Sequence, residues 1–598
     1  MDRSQEMREV DRFPRSNARK QDVLTFAALS IVVGLLLWRS SGRTPDDAFI
    51  FFRYARNLVK SHVWSYNPGL DTLNGATSPL WTATLSLAYW LTGGHIVGAA
   101  DVLYATALSG AGTVAARMFR EIGYPVAGYA AAALLVTNPV LLWVRGMETA
   151  LFLLLCTLVL LAAAKEPAPW WEGIAAGLLV LCRPEGAILI ALSFSYRWIS
   201  SRQFPTRSVV SAIATVTPWL VVSTITLGSP ISETLAAKSA QGRSGFWGPD
   251  FVFIRYIGTM VRQPWSIFLL GLAAFGFLFA LRRRALLPTV AIISLFTSFH
   301  FLAYGIIIRP PAYLWYYSVT YLGLSLLGGV GVVSIMVLTE RLVNSHVPHL
   351  VSTKWVTGSA LVLVTMLVGA QVADQQRGDI YRGYREAAAW LNANAEPSAT
   401  VSATEIGVLG WDTRLPIVDY LGLLDDQVVP ELARGDLSTW IKREQPDFYL
   451  VHLPIWNMEA PSAGQPWFAA AYEPVAETAH LGQWSNVRIF KRVRTASAAR
   501  TASSATPLIT NHLRSNLTDQ GVNLSSNEEM TLQRLLSLYV SDIDLQRRAE
   551  TRHGIDFHTM LTQIGIREVS GVSDSEIAAL SERLDGIIAP LAPRTNTS

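Results

Sequence analysis

Residues 23–60 read VLTFAALSIVVGLLLWRSSGRTPDDAFIFFRYARNLVK. An apolar run, Val23–Trp38, is followed by a short polar turn and then by two adjacent carboxylates that open an aromatic-rich segment. A helix needs about 20 predominantly apolar residues to cross a hydrocarbon core, and this run with its flanks approaches that length. It follows 22 polar residues that carry six Lys/Arg and five acids. No small-residue cleavage site comes after it, so it reads as a retained first span rather than a signal peptide.

The rest of the chain agrees with a membrane protein. Of 598 residues, 51% are hydrophobic and only 16% charged, and the mean hydropathy is +0.30. Soluble domains carry about 25% charged residues. Further apolar blocks predict spans near 97–116, 124–141, 148–164, 170–182, 186–199, 207–227, 263–281, 286–306, 316–339 and 355–374. The expected fold is therefore a polytopic α-helical membrane protein with about 11 transmembrane helices in all. Residues 78–93 are short and bounded by Trp and Tyr, and are expected as a juxtamembrane or re-entrant helix, with a full span as the alternative. With residues 1–22 in the cytoplasm, Arg117/Arg120, Lys165, Arg197/Arg202/Arg207 and Arg282–Arg284 all fall on inner loops, as the positive-inside rule asks.

Past residue 374 the composition changes. YREAAAWLNANAEP, ending at Pro397, has helix composition. Short apolar runs follow it: ATVSATEIGVLGW, LPIVDYLGLL, DFYLVHL and NVRIFKRV. This alternation predicts a small α/β domain over 375–494, on the outer face in an eleven-span layout. Residues 495–526 form an Ala/Ser/Thr-rich linker, and 527–598 a helical tail.

Composition also excludes functions. A net charge of +4 with no basic tract argues against nucleic acid. Cys156 and Cys182 both lie in apolar segments, which argues against a disulfide framework, and no His/Cys spacing matches a structural zinc site.

The first outer loop, 40–96, carries the chemistry. Thr44-Pro45-Asp46-Asp47 has the pattern of a helix start, with Thr44 as cap, Pro45 in the first turn and acids complementing the dipole. On the helix that follows, Asp46, Arg53, Asn57 and Lys60 share one face, and Asp47, Tyr54 and Leu58 a neighbouring one. Such a surface suits a substrate with a phosphate head and an apolar tail. Adjacent carboxylates also offer a general base or ligands for a divalent cation such as Mg, Mn or Ca.

An ordered set of words supports a resemblance: DDAFIFFRYARNL (46–58), NGATSPLW (74–81), RGMETALF (145–152), LCRPEG (181–186), SETLAAKSAQG (232–242), PAYLWYY (311–317) and EIGVLGW…VDYLGLL (405–424). Over about residues 23–494 the chain resembles the GT-C integral-membrane glycosyltransferases, in their arabinofuranosyltransferase-like branch. The resemblance implies a bacterial plasma-membrane enzyme. It would take a sugar from a polyprenyl-phosphate donor and add it to a glycan or glycolipid acceptor on the outer face of the bilayer. It puts the base at Asp46 or Asp47. Cations at the outer ends of spans would stabilise the leaving phosphate. Arg183, at a Pro/Gly break, and Lys238 are the candidates, with snorkelling or pairing to Glu185 as the plainer account of Arg183. Glu148 would position the acceptor or a metal ion, or only complement a helix dipole. Asn74 would bond sugar hydroxyls or shape a turn. Arg53 would face the donor, and Trp81 would stack on sugar or anchor at the interface. Two other classes compete: a protein O-mannosyltransferase-like relative and a non-catalytic transporter. A transporter would show charged groups near span centres and repeated halves, which this sequence lacks.

Overall fold

The computed structural model describes residues 15–69, 74–232, 234–346, 378–478 and 485–493. The expected span 355–374, the linker 495–526 and the tail 527–598 lie outside the described residues. The chain divides into two compact units, Met1–Asp379 and Ile380–Ser598.

The first unit is helical. Long helices cover Arg15–Arg39, Ile96–Glu121, Pro125–Val136, Thr149–Ala163, Glu172–Cys182, Gly186–Ser201, Thr206–Leu227, Pro264–Ala280, Leu287–Leu302 and Ser318–His346. By length and apolarity, four of the described helices suffice to cross a membrane: Ala18–Arg39, Thr206–Leu227, Leu287–Ile308 and Leu314–Glu340. A fifth is added if Val252–Met260 and Pro264–Ala280, bent by 93° at their junction, form one span. Pro125–Val136, Thr149–Ala163 and Glu172–Cys182 are apolar but shorter. The Pro79–Leu91 helix has 13 residues, about 20 Å at 1.5 Å per residue, too short to cross. Ser78 starts it, accepting a bond from the Trp81 backbone N–H, with Pro79 at its first position.

Polar contacts gather in two layers. At one end Asp22 pairs with Arg120 at 2.5 Å and Arg117 at 3.6 Å, and Lys165 pairs with Glu121 at 2.8 Å. Arg197 belongs to the same kind of layer, bonding Glu172 at 2.7 Å and the Ala162 carbonyl at 2.7 Å. At the other end Arg145 pairs with Asp101 and donates to the carbonyls of Leu37 at 2.6 Å and Ser40 at 2.9 Å. Asp101 and Arg120 lie on one continuous helix. Their spacing of 19 residues is about 28 Å, close to the thickness of a bilayer's apolar core.

Small residues let helices approach closely. A Cβ at Gly276 would lie 2.0 Å from the Leu327 carbonyl oxygen, and one at Gly331 would lie 1.9 Å from that of Leu272. The Pro264–Ala280 and Ser318–His346 helices therefore meet backbone to backbone, a packing that apolar solvent makes favourable.

The second unit is built on a five-stranded sheet in the order β2-β1-β3-β5-β4. The strands are β1 (Val401–Ser402), β2 (Ile417–Val418), β3 (Phe448–His452), β4 (Tyr472–Glu477) and β5 (Val487–Arg492). β1 pairs in parallel with β2 and β3, while β5 runs antiparallel to β3 and β4. The Arg382–Asn394 helix buries Tyr384, Ala387, Ala388 and Leu391. Four strands fall in the four apolar runs read from sequence. β4, YEPVAE, was not among them: it is an edge strand with a proline and a register shift between Pro474 and Ala476, so it shows neither continuous apolarity nor clean alternation.

Candidate active site

The acidic pair opens the Asp46–Ser61 helix. Pro45 occupies the cap position and no side chain caps the helix, which corrects the expectation for Thr44. Asp46 is buried. Asp47 keeps 23% of its side chain exposed.

Two contacts seat this helix start against the 145–148 loop. Gly146 adopts φ +79°, a region that costs glycine little, and a Cβ there would sit 2.9 Å from Thr44 Cγ2 and 3.3 Å from Ala48 Cβ. Trp81 Nε1–H donates to the Gly146 carbonyl at 3.1 Å. One residue earlier, Arg145 binds the end of the first helix, which leads into the acidic pair. Arg145 thus couples the segment before Asp46/Asp47 to the segment carrying Glu148. It was not among the residues singled out from sequence. The signal was there in an Arg and an Asp embedded in apolar sequence.

Beyond Asp47 lies a cationic and aromatic wall. Lys238 Nζ is 3.9 Å from Asp47 Oδ2. The same ammonium sits 4.3 Å from the Tyr313 ring centroid and 5.8 Å from that of Trp315. Tyr313 and Trp315 stack at 4.6 Å with planes 10° apart, and the Tyr313 hydroxyl donates to Gln241 Oε1 at 3.2 Å. Arg183 continues the wall. Its Nη1 donates to the Trp315 carbonyl at 3.3 Å, and its guanidinium lies 5.8 Å from the Tyr316 ring. Arg183 also pairs with Glu185 at 2.6 Å and Glu148 at 3.6 Å, all three side chains being buried. Cys182 donates its S–H to the Glu148 carbonyl at 3.7 Å.

Asp47, Glu148, Arg183 and Lys238 therefore converge, although they come from four separate segments. The ion pair to Glu185 does form, and it belongs to this cluster rather than replacing it.

Three of the residues expected at the site, Arg53, Trp81 and Asn74, make contacts within the protein. Arg53 binds its own loop: Nε–H donates to the Tyr66 carbonyl at 2.8 Å, Nη2 to Asn67 Oδ1 at 3.1 Å, and the guanidinium covers the Tyr66 ring at 4.3 Å. Asn57 bonds the carbonyls of Ser65 and Tyr66, both at 2.9 Å, so this helix face holds a loop. Trp81 is fully buried and serves as a spacer and donor, not as a stacking platform. Tyr313 and Trp315 stack on one another beside Lys238. Asn74 ties its loop to the Ser229 carbonyl at 3.2 Å, with its own Oδ1 buried and unbonded. In the second unit Asp419 is structural: its carboxylate accepts from the backbone N–H of Leu421 at 2.8 Å and Leu424 at 2.7 Å. Burial raises its pKa, and these bonds act in the opposite sense.

Residues 370–503 match a family described as a domain of unknown function, DUF8728. No curated protein matches the chain in sequence. Solved structures do match in fold. The archaeal oligosaccharyltransferase AglB from Archaeoglobus fulgidus, in complex with an inhibitory peptide and a dolichol-phosphate, superposes with a TM-score of 0.51 at 11% identity. The match covers 89% of this chain and 87% of that one. ArnT from Cupriavidus metallidurans bound to undecaprenyl phosphate gives 0.49 at 14% identity, over 80% and 98% of the two chains. Arabinofuranosyltransferase AftD from Mycobacteria gives 0.45 at 14% identity, over 79% of this chain and 40% of that one. The AglB match shows that the chain shares that protein's fold.

Proposed function

We propose that this chain is a membrane glycosyltransferase that moves a sugar from a polyprenyl-phosphate donor to a cell-envelope glycan or glycolipid. The observation that carries the proposal is the partly exposed Asp47 carboxylate facing Lys238 beside an aromatic platform, with Arg183 next to it. AglB, whose fold the chain shares, was captured with a dolichol-phosphate, a lipid of the proposed donor's chemical class.

The geometry suits a displacement at the anomeric carbon. An acceptor hydroxyl attacks that carbon, forming a new C–O bond, and its proton passes to a carboxylate of the acidic pair. Asp47 is the more accessible of the two and is the proposed base. The bond from the anomeric carbon to the phosphate oxygen breaks, and polyprenyl phosphate leaves. Its growing negative charge meets Lys238 and Arg183, which are held in place before reaction and need no reorganisation. Tyr313 and Trp315 present flat apolar faces to a sugar ring or to the first isoprene units. Where the transfer uses a divalent cation, Asp46 and Asp47 supply the hard oxygen ligands that Mg, Mn or Ca prefer, and the ion would add Lewis-acid character.

Arabinofuranose is the proposed sugar, on the sequence words quoted above. The proposed topology has eleven spans with the N-terminus in the cytoplasm of a bacterial cell. Asp47 and the second unit then stand on the outer face. The layer with Arg117, Arg120, Lys165 and Arg197 is richer in cations and suits the cytoplasmic side.

The test is transfer of radiolabelled sugar from synthetic polyprenyl-phosphate donors to a panel of glycan acceptors, in membranes containing the wild type or the Asp46→Asn/Asp47→Asn double variant. Transfer by the wild type alone supports the proposal. Transfer of equal rate by both sinks the first-loop mechanism. If the wild type is correctly inserted but binds no polyprenyl-phosphate donor, the donor class is wrong.

A further inference from the structure

Lys238 and Arg183 reach the site from distant parts of the chain. Lys238 belongs to the Thr234–Arg243 helix, and Arg183 lies at the break between the Glu172–Cys182 and Gly186–Ser201 helices. An ammonium on a four-carbon stem has many rotamers, and holding it in one of them costs entropy. The structure gives Lys238 a floor, the Tyr313 ring, 4.3 Å from Nζ. The placement of that ring therefore decides where the ammonium stands relative to Arg183.

Gln241 follows Lys238 by three residues and shares its helix face. Its side chain is fully buried, and a buried amide is costly unless it is hydrogen-bonded. Its Oε1 accepts from the Tyr313 hydroxyl at 3.2 Å. One helix face thus engages Tyr313 twice, with Gln241 at its hydroxyl and Lys238 over its ring. The next residue, Gly242, abuts the backbone that leads to Tyr313: a Cβ there would lie 1.8 Å from the Arg309 carbonyl oxygen. Tyr313 in turn stacks on Trp315 at 4.6 Å, and the Trp315 carbonyl accepts from Arg183 Nη1 at 3.3 Å. A continuous line of contacts therefore joins the two cations, from Lys238 through Tyr313 and Trp315 to Arg183.

We propose that Gln241 is a positioning residue: by holding the Tyr313 hydroxyl it sets the separation of Lys238 from Arg183, and with it the fit of the donor's phosphate between them. This deepens the glycosyltransferase reading and rests on it. Gln241 does not touch the donor and acts through Tyr313 and Lys238. Without an acceptor at position 241, Tyr313 loses the bond that fixes its ring, and the ammonium resting on that ring shifts with it. The phosphate then meets one well-placed cation instead of two. The isoprenoid chain is recognised by apolar contact, so its binding does not depend on this bond.

The experiment measures binding of a polyprenyl methyl phosphodiester, and of the polyprenol of the same length, to the full-length protein in nanodiscs. Gln241→Leu keeps the bulk and removes the acceptor. It should weaken diester binding about three- to tenfold, the worth of one hydrogen bond, and leave polyprenol binding unchanged. Tyr313→Phe keeps the ring and removes the hydroxyl. It should show the same loss, and the double variant should be no worse than either single one. Tyr313→Phe also carries the test if Gln241→Leu does not fold. Lys238→Ala should cost less affinity in the Gln241→Leu background than in the wild type, a coupling that a packing defect would not produce. Wild-type diester affinity in both single variants, an equal loss for diester and polyprenol, or losses that add in full overturns the inference. A wild type that binds the diester no better than the polyprenol overturns instead the donor reading beneath it.

Discussion

Lys238 places its ammonium 3.9 Å from the Asp47 carboxylate while resting on the Tyr313 ring. A cation at that distance attracts the carboxylate and remains able to reach an incoming phosphate. Lys238→Ala should therefore raise the KM for the lipid-phosphate donor about 10- to 100-fold, the worth of one charge-assisted hydrogen bond. Lys238→Arg should recover part of it. Steady-state kinetics with the donor varied check this, and an unchanged donor KM would remove Lys238 from the site.

The two carboxylates differ in accessibility, Asp46 being buried and Asp47 partly open. Asp47→Asn should lower the transfer rate by about 10²- to 10⁴-fold, the usual contribution of a positioned base. Asp46→Asn should act more weakly on the rate. Reversed magnitudes in the same assay would assign the base to Asp46.

Arg145 joins Asp101 to the carbonyls at the end of the first helix. Arg145 is buried while Asp101 is partly exposed, and removing the guanidinium leaves the Leu37 and Ser40 carbonyls unbonded inside the protein. Arg145→Ala should cost on the order of 3 kcal/mol. Arg145→Lys should not rescue it, because an ammonium cannot form the two-pronged contact with Asp101. Thermal unfolding in detergent reads both, and a midpoint within experimental error of the wild type would mean the clamp carries little.

Gly276 and Gly331 face backbone carbonyls at distances no side chain tolerates. Gly276→Leu and Gly331→Leu should each force apart the Pro264–Ala280 and Ser318–His346 helices, with lower yield of monodisperse protein in detergent. Gly271 has open space around it, so Gly271→Leu serves as the control and should behave as the wild type.

Sidedness can be read with single cysteines. The two native cysteines are buried, so the background should be low. Asn394→Cys should react with an impermeant maleimide added to intact cells, and Arg202→Cys should react only after permeabilisation. The opposite pattern would invert the proposed topology.

Much of the helical unit was legible in the chain because apolar runs set against a bilayer's thickness leave few choices of element. The four strands with dense β-branched or aromatic runs were legible for a similar reason. β4 was not, because an edge strand can carry Glu and Pro on its open side at little cost. Thr44 looked like a cap by residue type alone. Capping depends on backbone angles that the sequence does not display, and the helix begins past Pro45 without it.

Within the site, residue chemistry and residue location separate. The sequence alone determined that carboxylates, cations and aromatic residues lie at the ends of apolar segments, and it named Asp46, Asp47, Glu148, Arg183 and Lys238. Only the tertiary structure decided which of these meet. It brought Asp47 to Lys238, turned Arg53 onto its own loop, buried Trp81, and revealed Arg145 and Tyr313. The physical reason is that periodicity specifies a face of one helix. A contact between residues far apart in the chain is specified by how many helices pack together, a property of all of them at once.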